Sequence, residues 1–359
     1  MTLDEKIGQL FIFGFDGTEP SEELQRFIRH ANLGGVVLLK RNIRDPLQLF
    51  SLIAALQASS PSLPLFVAVD QEGGRVSRLD PPFTQFPSPA RVGEVGSVKL
   101  AHAMGAAIGK ELRAVGINVD LAPVLDVNTN PSNPVIGDRA FGADPDLVAE
   151  LGVSFFWGLK EQGILAVGKH FPGHGDTSLD SHEALPIVSH PKERLDAVEL
   201  QPFAEAIEAG IPALMTAHVL YPSLDPWYPA TLSKAILTDL LRGELGFPGL
   251  IVSDDLAMKA ISDRYGSGEA AVRFLEAGGD LVLICHTWER QMEAIEAVKY
   301  AVEEGRISEE RIEESLRRII AVKERYLVPP TSASPEMIAE VVGCEEHQRI
   351  AQAIGGYRG

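Results

Sequence analysis

The sequence has few cysteines, few basic residues and no long hydrophobic run. Only Cys285 and Cys344 occur in 359 residues, which is too few for a disulfide framework and fits a reducing compartment. Cys285 follows the apolar run 281–284 and is expected to be a small core residue. No stretch approaches the roughly 18 apolar residues of a membrane span, and the N-terminus lacks a basic region leading into an apolar stretch. These absences predict a cytoplasmic protein that has no membrane partner.

Positive charge is also scarce. The chain carries 32 Lys and Arg against 50 Asp and Glu, giving a formal net charge of −18 at pH 7. Such a surface repels phosphate backbones and anionic lipid, and no cluster of Lys and Arg forms a local exception. Nucleic acid is therefore not an expected partner. What the chain does have is 45% hydrophobic residues, enough for two ordinary domains or one large α/β barrel.

Strand-like and helix-like segments alternate along the chain. Apolar runs of strand length lie at 9–13, 35–39, 65–69, 118–121, 165–168, 213–216, 249–252 and 280–284. Helical patterns lie between most of them, at 21–31, 46–58, 98–115, 146–162, 192–209, 233–242 and 268–277. Glycines suited to end a helix follow four of these patterns, at Gly116, Gly163, Gly210 and Gly246. Eight strands in one such domain favour a closed (β/α)8 TIM barrel over an open doubly wound sheet.

The predicted barrel forms a single catalytic domain over residues 1–327. Its last two helical patterns, at 289–304 and 308–326, come after the eighth strand. A segment rich in Pro and Ser at 328–335 is predicted to be a linker. Residues 336–359 are too few for a domain and form a short C-terminal extension, which packs on the barrel, frays or leads into a further domain.

In a (β/α)8 barrel the active site forms at the C-terminal ends of the strands. Polar residues follow the predicted strands at that end, namely Asp70, Lys169, His170, His218, Asp254, Asp255 and His286. Asp254 is expected to be free at the barrel mouth, whereas Asp255 is better suited to cap the next helix or to support its neighbour.

The segment 169–182 contains three histidines and two carboxylates among two glycines and a proline. Asp180 and His182 are either a solvated pair or a dyad in which the carboxylate fixes the tautomer and favours the protonated ring, as a proton donor requires. Lys169 and His170 are expected to donate hydrogen bonds to a ligand. His174, flanked by glycines, is expected to brace the loop.

A glycine turn follows the third strand in the segment 70–78. It is either a simple turn or a substrate-binding loop, and we favour the second because Asp70 lies at the rim and Arg75 and Arg78 can reach inward. Arg139, in the segment 136–141, has a similar but weaker pattern.

Four motifs, in this order, resemble glycoside hydrolase family 3, and within it the β-N-acetylhexosaminidases with which bacteria recycle cell-wall fragments. They are residues 70–76, 169–177, 180–182 and 253–258. The resemblance implies a retaining exo-hydrolase that removes terminal non-reducing β-linked N-acetylglucosamine from peptidoglycan fragments. It implies that Asp254 is the nucleophile, that His182 is the general acid/base and that Asp180 is the partner of His182.

The same resemblance implies residues that hold the sugar: Asp70, Arg78, Arg139, Lys169 and His170. Arg75 and His218 are added as substrate contacts because of their positions. The expected protein is a monomer that binds a small carbohydrate and needs no cofactor or metal. Residues 342–351 look like the start of the second domain that some family members carry.

Other functions stay open at this point. Within the family, the chain could be a β-glucosidase or an N-acetylglucosaminide phosphorylase. Outside it, a metal-dependent hydrolase would use His170, His174 and His182 plus an aspartate as ligands, although all three histidines lie on one segment. A sugar-binding protein without turnover is the non-enzymatic alternative.

Overall fold

The computed structural model describes residues 1–60, 62–327 and 334–356. The strands in the described residues are β1 (Phe11–Phe13), β2 (Gly35–Leu38), β3 (Phe66–Val69), β4 (Gln71–Gly73), β5 (Val76–Ser77), β6 (Val119–Asp120), β7 (Leu165–Phe171), β8 (Ala213–Thr216), β9 (Leu250–Val252) and β10 (Val282–Ile284). Strands β4 and β5 form a small antiparallel hairpin, and the other eight strands form one parallel sheet.

The parallel sheet closes on itself. Its order is β10, β1, β2, β3, β6, β7, β8 and β9, and a parallel bridge between Val252 and Leu281 joins the two outer strands. The Ser253 amide also donates to the Leu281 carbonyl at 2.9 Å. Every residue of the eight strands is buried, as expected when a parallel sheet is covered on both faces. This arrangement confirms the predicted (β/α)8 barrel, and all eight predicted strands are present.

Helices surround the barrel: α1 (Leu3–Gly8), α2 (Glu22–Ala31), α3 (Pro46–Ser59), α4 (Pro89–Val95), α5 (Val98–Ala114), α6 (Pro145–Glu161), α7 (Lys192–Arg194), α8 (Gln201–Glu208), α9 (Lys259–Glu276), α10 (Trp288–Glu303) and α11 (Glu309–Tyr326). Their starts follow capping chemistry. For example, the Asp45 side chain accepts from the Gln48 amide, and Pro46 occupies the first turn of α3. The four glycines predicted to end helices all have positive φ, between 64° and 92°.

Three predicted helices differ in detail. Residues 192–209 divide into α7, a π-helical segment Leu195–Glu199 and α8, and the helix predicted at 233–242 is the π-helical segment Ala235–Glu244. Helix α9 begins nine residues before the predicted start at 268, but its backbone leaves helical geometry at Gly266. The hydrophobic pattern resumes only after that break, which is why it predicted the later start.

The C-terminal extension contains α12 (Pro335–Val341) and α13 (Glu345–Gly355), which pack against α5. The buried carboxylate of Glu111 in α5 accepts hydrogen bonds from the Gly343 amide at 3.0 Å and from His347 Nδ1 at 2.8 Å. Most of the predicted linker, residues 328–333, lies outside the described residues. Among the described residues, no helix combines the length and apolarity needed to cross a membrane.

Candidate active site

A cavity of about 510 Å³ opens at the C-terminal end of the barrel. Of the residues predicted to form the site, all except His218 line it: Asp70, Arg75, Arg78, Arg139, Lys169, His170, Asp180, His182 and Asp254. These residues come from the ends of several strands and from the loops after them. The cavity therefore lies where the barrel fold places catalytic sites.

Lys169 is buried in the wall of the cavity. Its Nζ lies 2.8 Å from Asp70 Oδ1 and 2.7 Å from Glu72 Oε1. Burial alone would lower the pKa of Lys169, but the two carboxylates raise it, so the amine stays charged. Burial would likewise raise the pKa of Asp70, yet Lys169 and Arg78 hold it well below the ordinary value. A buried charge is tolerated only when it is paired, and here each one is.

The Arg139 guanidinium forms a bidentate ion pair with Glu72, at 2.9 and 2.8 Å. Glu72 is 2% exposed, so this pair and the Lys169 contact hold two cations at the cavity wall. Arg75 lies further out, where its guanidinium donates to Asp138 and to the Val135 carbonyl. The cations left partly open to the cavity can donate to sugar hydroxyl or carbonyl oxygens.

Lys169 and His170 are neighbours in β7, yet both face the cavity. Side chains alternate along a regular strand, so two successive residues would point to opposite faces. The strand is irregular here: the Lys169–His170 peptide bond is cis, and the pairing of β7 with β8 shifts register between Gly168 and Phe171.

Asp126 fixes the orientation of His170. Its carboxylate lies 2.7 Å from His170 Nδ1 and also accepts from the His174 amide. Burial would raise the pKa of Asp126, but His170 lowers it, so the group is an ionised acceptor. Nδ1 of His170 must then carry the proton, and its Nε2 faces Arg139 Nη2 at 3.5 Å.

Asp254 follows β9 and reaches the cavity, and its Oδ1 accepts from the Asp255 amide at 2.8 Å. Burial would raise the pKa of Asp254, but nearby His218 and His170 hold it below the ordinary value. Asp254 is therefore ionised at neutral pH, as a nucleophilic carboxylate must be. Asp255 supports this turn, because its Oδ1 accepts from the amides of Ala257 and Cys285. It does not cap α9, whose N-cap residue is Met258.

The expectation that His218 contacts substrate is not supported by its position. His218 is fully buried and does not line the cavity. Its Nδ1 lies 2.7 Å from Thr231 Oγ1, and its Nε2 lies 3.0 Å from the Asp255 carbonyl oxygen. Since both ring nitrogens are occupied, His218 is placed to support the turn that carries Asp254.

Asp180 and His182 form a hydrogen-bonded pair on the loop that follows β7. Asp180 Oδ1 accepts from the His182 amide and lies 2.8 Å from His182 Nδ1. Burial would raise the pKa of Asp180, but the bonds from His182 lower it. An ionised Asp180 requires the proton on Nδ1 of His182, which leaves Nε2 free to give or take a proton. The His182 side chain is 65% exposed and lies at the mouth of the cavity.

The structure places three contributors that the sequence reasoning missed: Glu72, Asp126 and Thr231. Asp126 had a detectable signal, because it is a lone carboxylate in the otherwise apolar stretch 121–127. Glu72 was inside a recognised motif but received no role.

The three histidines of segment 169–182 do not converge on one point. His170 is bonded to Asp126, and both ring nitrogens of His174 are occupied by Thr177 and Ser181. Within residues 1–60, 62–327 and 334–356, no group of three or more His, Cys, Asp or Glu is arranged to hold a metal ion. The ligand set considered for a metal-dependent hydrolase is therefore not formed by these residues.

Comparisons with known proteins agree with this geometry. Residues 2–322 match the glycosyl hydrolase family 3 N terminal domain. The chain is 38% identical to beta-hexosaminidase A of Pseudoalteromonas piscicida over 355 residues, covering 91% of this chain and 59% of that protein. It is 40% identical to the beta-hexosaminidase of Nitrosomonas eutropha, covering 86% of this chain and 90% of that protein.

A solved structure is also similar. The family 3 beta-N-acetylglucosaminidase of Paenibacillus sp. superposes with a TM-score of 0.96 at 47% identity, covering 99% of this chain and 68% of that one. The chain thus spans about three fifths of one curated relative and nine tenths of another. It belongs to glycosyl hydrolase family 3.

Proposed function

We propose that the chain is a retaining exo-β-N-acetylhexosaminidase. The observation that carries this proposal is that an ionised carboxylate, Asp254, and a carboxylate-imidazole pair, Asp180 and His182, line one polar cavity at the barrel mouth. Retention of configuration requires a nucleophile on one face of the anomeric carbon and a proton donor for the leaving oxygen. The similarity to proteins named beta-hexosaminidase and beta-N-acetylglucosaminidase favours N-acetylglucosamine as the sugar.

In the first step, His182 Nε2 donates a proton to the glycosidic oxygen while Asp254 attacks the anomeric carbon. The bond to the leaving group breaks, and a glycosyl ester of Asp254 forms. Asp180 stabilises the imidazolium before transfer and holds Nδ1 protonated throughout. In the second step, neutral His182 takes a proton from water, the water oxygen attacks the anomeric carbon and Asp254 departs.

The charged wall opposite these groups holds the sugar. Arg78, Arg139 and Lys169 offer fixed N–H donors, and Asp70 offers an acceptor for hydroxyl hydrogens. Because each of these groups is already paired within the protein, its position is set before substrate arrives. Peptidoglycan fragments that end in N-acetylglucosamine are the substrates we propose.

The direct test is turnover of 4-nitrophenyl N-acetyl-β-glucosaminide by the purified chain, with the glucoside as comparison. We expect faster hydrolysis of the N-acetylglucosaminide and initial release of the β-anomer, observable by proton NMR. Asp254→Asn should lower kcat by a factor of about 10⁴ with little change in binding, because it removes the nucleophile but keeps its shape. Release of the α-anomer, or an Asp254→Asn variant with unchanged kcat, would contradict the proposal. Formation of a sugar 1-phosphate in phosphate buffer would show phosphorolysis instead.

A further inference from the structure

The loop that carries His182, residues 172–190, is fixed at both ends. At its start, the Tyr221 hydroxyl donates to the Gly173 carbonyl. Near its end, the Val188 amide donates to the Leu220 carbonyl at 2.9 Å, and His190 pairs with Asp176. The segment between these anchors contains Asp180 and His182. These contacts at the loop ends do not involve that segment, so other contacts must hold it at the cavity.

Ser181 provides those contacts. It is 2% exposed, whereas the His182 side chain next to it is 65% exposed. Its Oγ lies 3.2 Å from His174 Nε2, and its carbonyl oxygen accepts from the Ala260 amide at 3.3 Å. Ala260 lies in the first turn of α9, where backbone amides have no partner within the helix. Ser181 therefore joins the outer part of the loop to the base of the loop at His174, which Asp126 holds, and to the helix that follows Asp254.

The direction of the His174 contact follows from its neighbours. The Thr177 hydroxyl donates its only proton to the His174 carbonyl oxygen. Thr177 Oγ1 must therefore accept the hydrogen bond from His174 Nδ1, which lies 2.8 Å away. His174 Nε2 is then an acceptor for the Ser181 hydroxyl. Burial, with a smaller effect of His170, lowers the pKa of His174 to about 4, so the ring stays neutral and keeps this acceptor at neutral pH. The Asp126 carboxylate accepts a hydrogen bond from the His174 backbone amide and so fixes the backbone at this residue.

We propose that Ser181 is a positioning residue, which latches the outer part of the loop, residues 178–182, onto the base of the same loop at His174 and onto the first turn of α9, and so places His182 for proton transfer at the cavity. The inference rests on the function proposed above, because it concerns the delivery of the proton by His182. Substrate must enter the cavity and product must leave, and a small number of hydrogen bonds is suited to a loop that opens and closes in each cycle. Ser181 also lines the cavity, but it acts on the proton transfer through the position of His182 and does not give or take the proton itself.

The test is a comparison of Ser181→Ala with Ser178→Ala, a matched change at an exposed position of the same loop. Two aryl N-acetyl-β-glucosaminides are used, one with a good leaving group and one with a poor one. Ser181→Ala removes one hydrogen bond, so we expect kcat on the poor leaving group to fall roughly tenfold and kcat on the good one to stay within about twofold. Ser178→Ala should match the wild type on both substrates.

A double-mutant cycle with His182→Ala separates positioning from general loss of structure. In the His182→Ala background, Ser181→Ala should cause no further loss on the poor leaving group, because the group that it positions is gone. An equal loss on both substrates, or a further tenfold loss in the His182→Ala background, would overturn the latch. If the wild type hydrolyses neither substrate, the proposed function is wrong. If the wild type is active and Ser181→Ala has the same kcat as Ser178→Ala on both substrates, the latch is wrong and the proposed function stands.

Discussion

At the scale of the residue, the proton donor that we propose differs in charge from the usual one. Most glycosidases use a second carboxylic acid, which becomes an anion once it has given up its proton. The imidazole of His182 becomes neutral instead, so the negative charge left on the pair is that of Asp180, which lies on the Nδ1 side of the ring, away from the Nε2 that gives the proton. The pairing with ionised Asp180 fixes the orientation of the His182 ring, because Oδ1 of Asp180 accepts from the His182 amide and lies 2.8 Å from Nδ1. This division of charge fits a site whose nucleophile must stay ionised.

This role makes His182→Ala sensitive to the leaving group. A proton is needed when the departing oxygen is strongly basic, and general acid catalysis contributes a factor of roughly 10² to 10⁴. We expect kcat on a poor leaving group to fall by about that factor, and kcat for an activated nitrophenyl glycoside to fall much less. The measurement is a plot of rate against leaving-group pKa, which should be steeper for the variant. Parallel plots for variant and wild type would argue against His182 as the acid.

At the scale of the element, helix α11 is joined to the opposite end of the barrel by a buried lysine. Lys323 Nζ donates to Gln9 Oε1 and to the Gly34 carbonyl, both at 2.8 Å. In contrast to Lys169, it has no carboxylate among these contacts, and burial lowers its pKa to about 7. The two buried lysines thus differ in the direction of their pKa shifts, because only Lys169 has carboxylates among its contacts.

This difference predicts a pH dependence of stability. The pKa of Lys323 is lower in the folded chain than in the unfolded chain, so the unfolded state binds more protons between about pH 7 and 10. Stability therefore rises with pH in this range, and Lys323 should contribute about 2 kcal/mol to the rise between pH 7 and 9. The free energy of unfolding in urea is measured at both pH values for the wild type, for Lys323→Met and for the exposed control Lys99→Met.

Lys323→Met should lose this part of the rise, and Lys99→Met should keep it. The comparison uses the change with pH and not the absolute stability, because the substitution also removes two hydrogen bonds. An identical rise in the free energy of unfolding between pH 7 and 9 in all three proteins would contradict a lowered pKa of Lys323.

At the scale of the whole molecule, strand positions and the barrel were predictable because each strand is a buried apolar run that ends in polar residues. That pattern also located the rim, since Asp70, Lys169 and Asp254 each follow such a run. It could not give side-chain direction. His218 follows β8 in the same way, yet its side chain is fully buried, and its two ring nitrogens contact Thr231 Oγ1 and the Asp255 carbonyl oxygen.

Contacts between segments that are distant in the chain could not be predicted from the sequence either. The pairing of Asp126 with His170 joins a loop to strand β7, and that of Ser181 with Ala260 joins a loop to helix α9. Neither pair has a local sequence pattern that predicts it. The irregularities of β7 at Lys169 and His170, a cis peptide bond and a register shift against β8, likewise have no sequence pattern that predicts them. These contacts and strand irregularities arise from packing in the closed barrel, so only the three-dimensional structure shows them.

In the proposed mechanism, Asp254 forms a covalent bond to the sugar. A 5-fluoro derivative of N-acetylglucosaminyl fluoride, which slows the second step, should trap the intermediate, and the labelled peptide can then be identified by mass spectrometry. We predict one added fluorosugar per chain on the peptide that contains Asp254, with activity returning as the ester hydrolyses, and no label on Asp254→Asn. A label on a different residue, or full turnover by Asp254→Asn, would contradict the account.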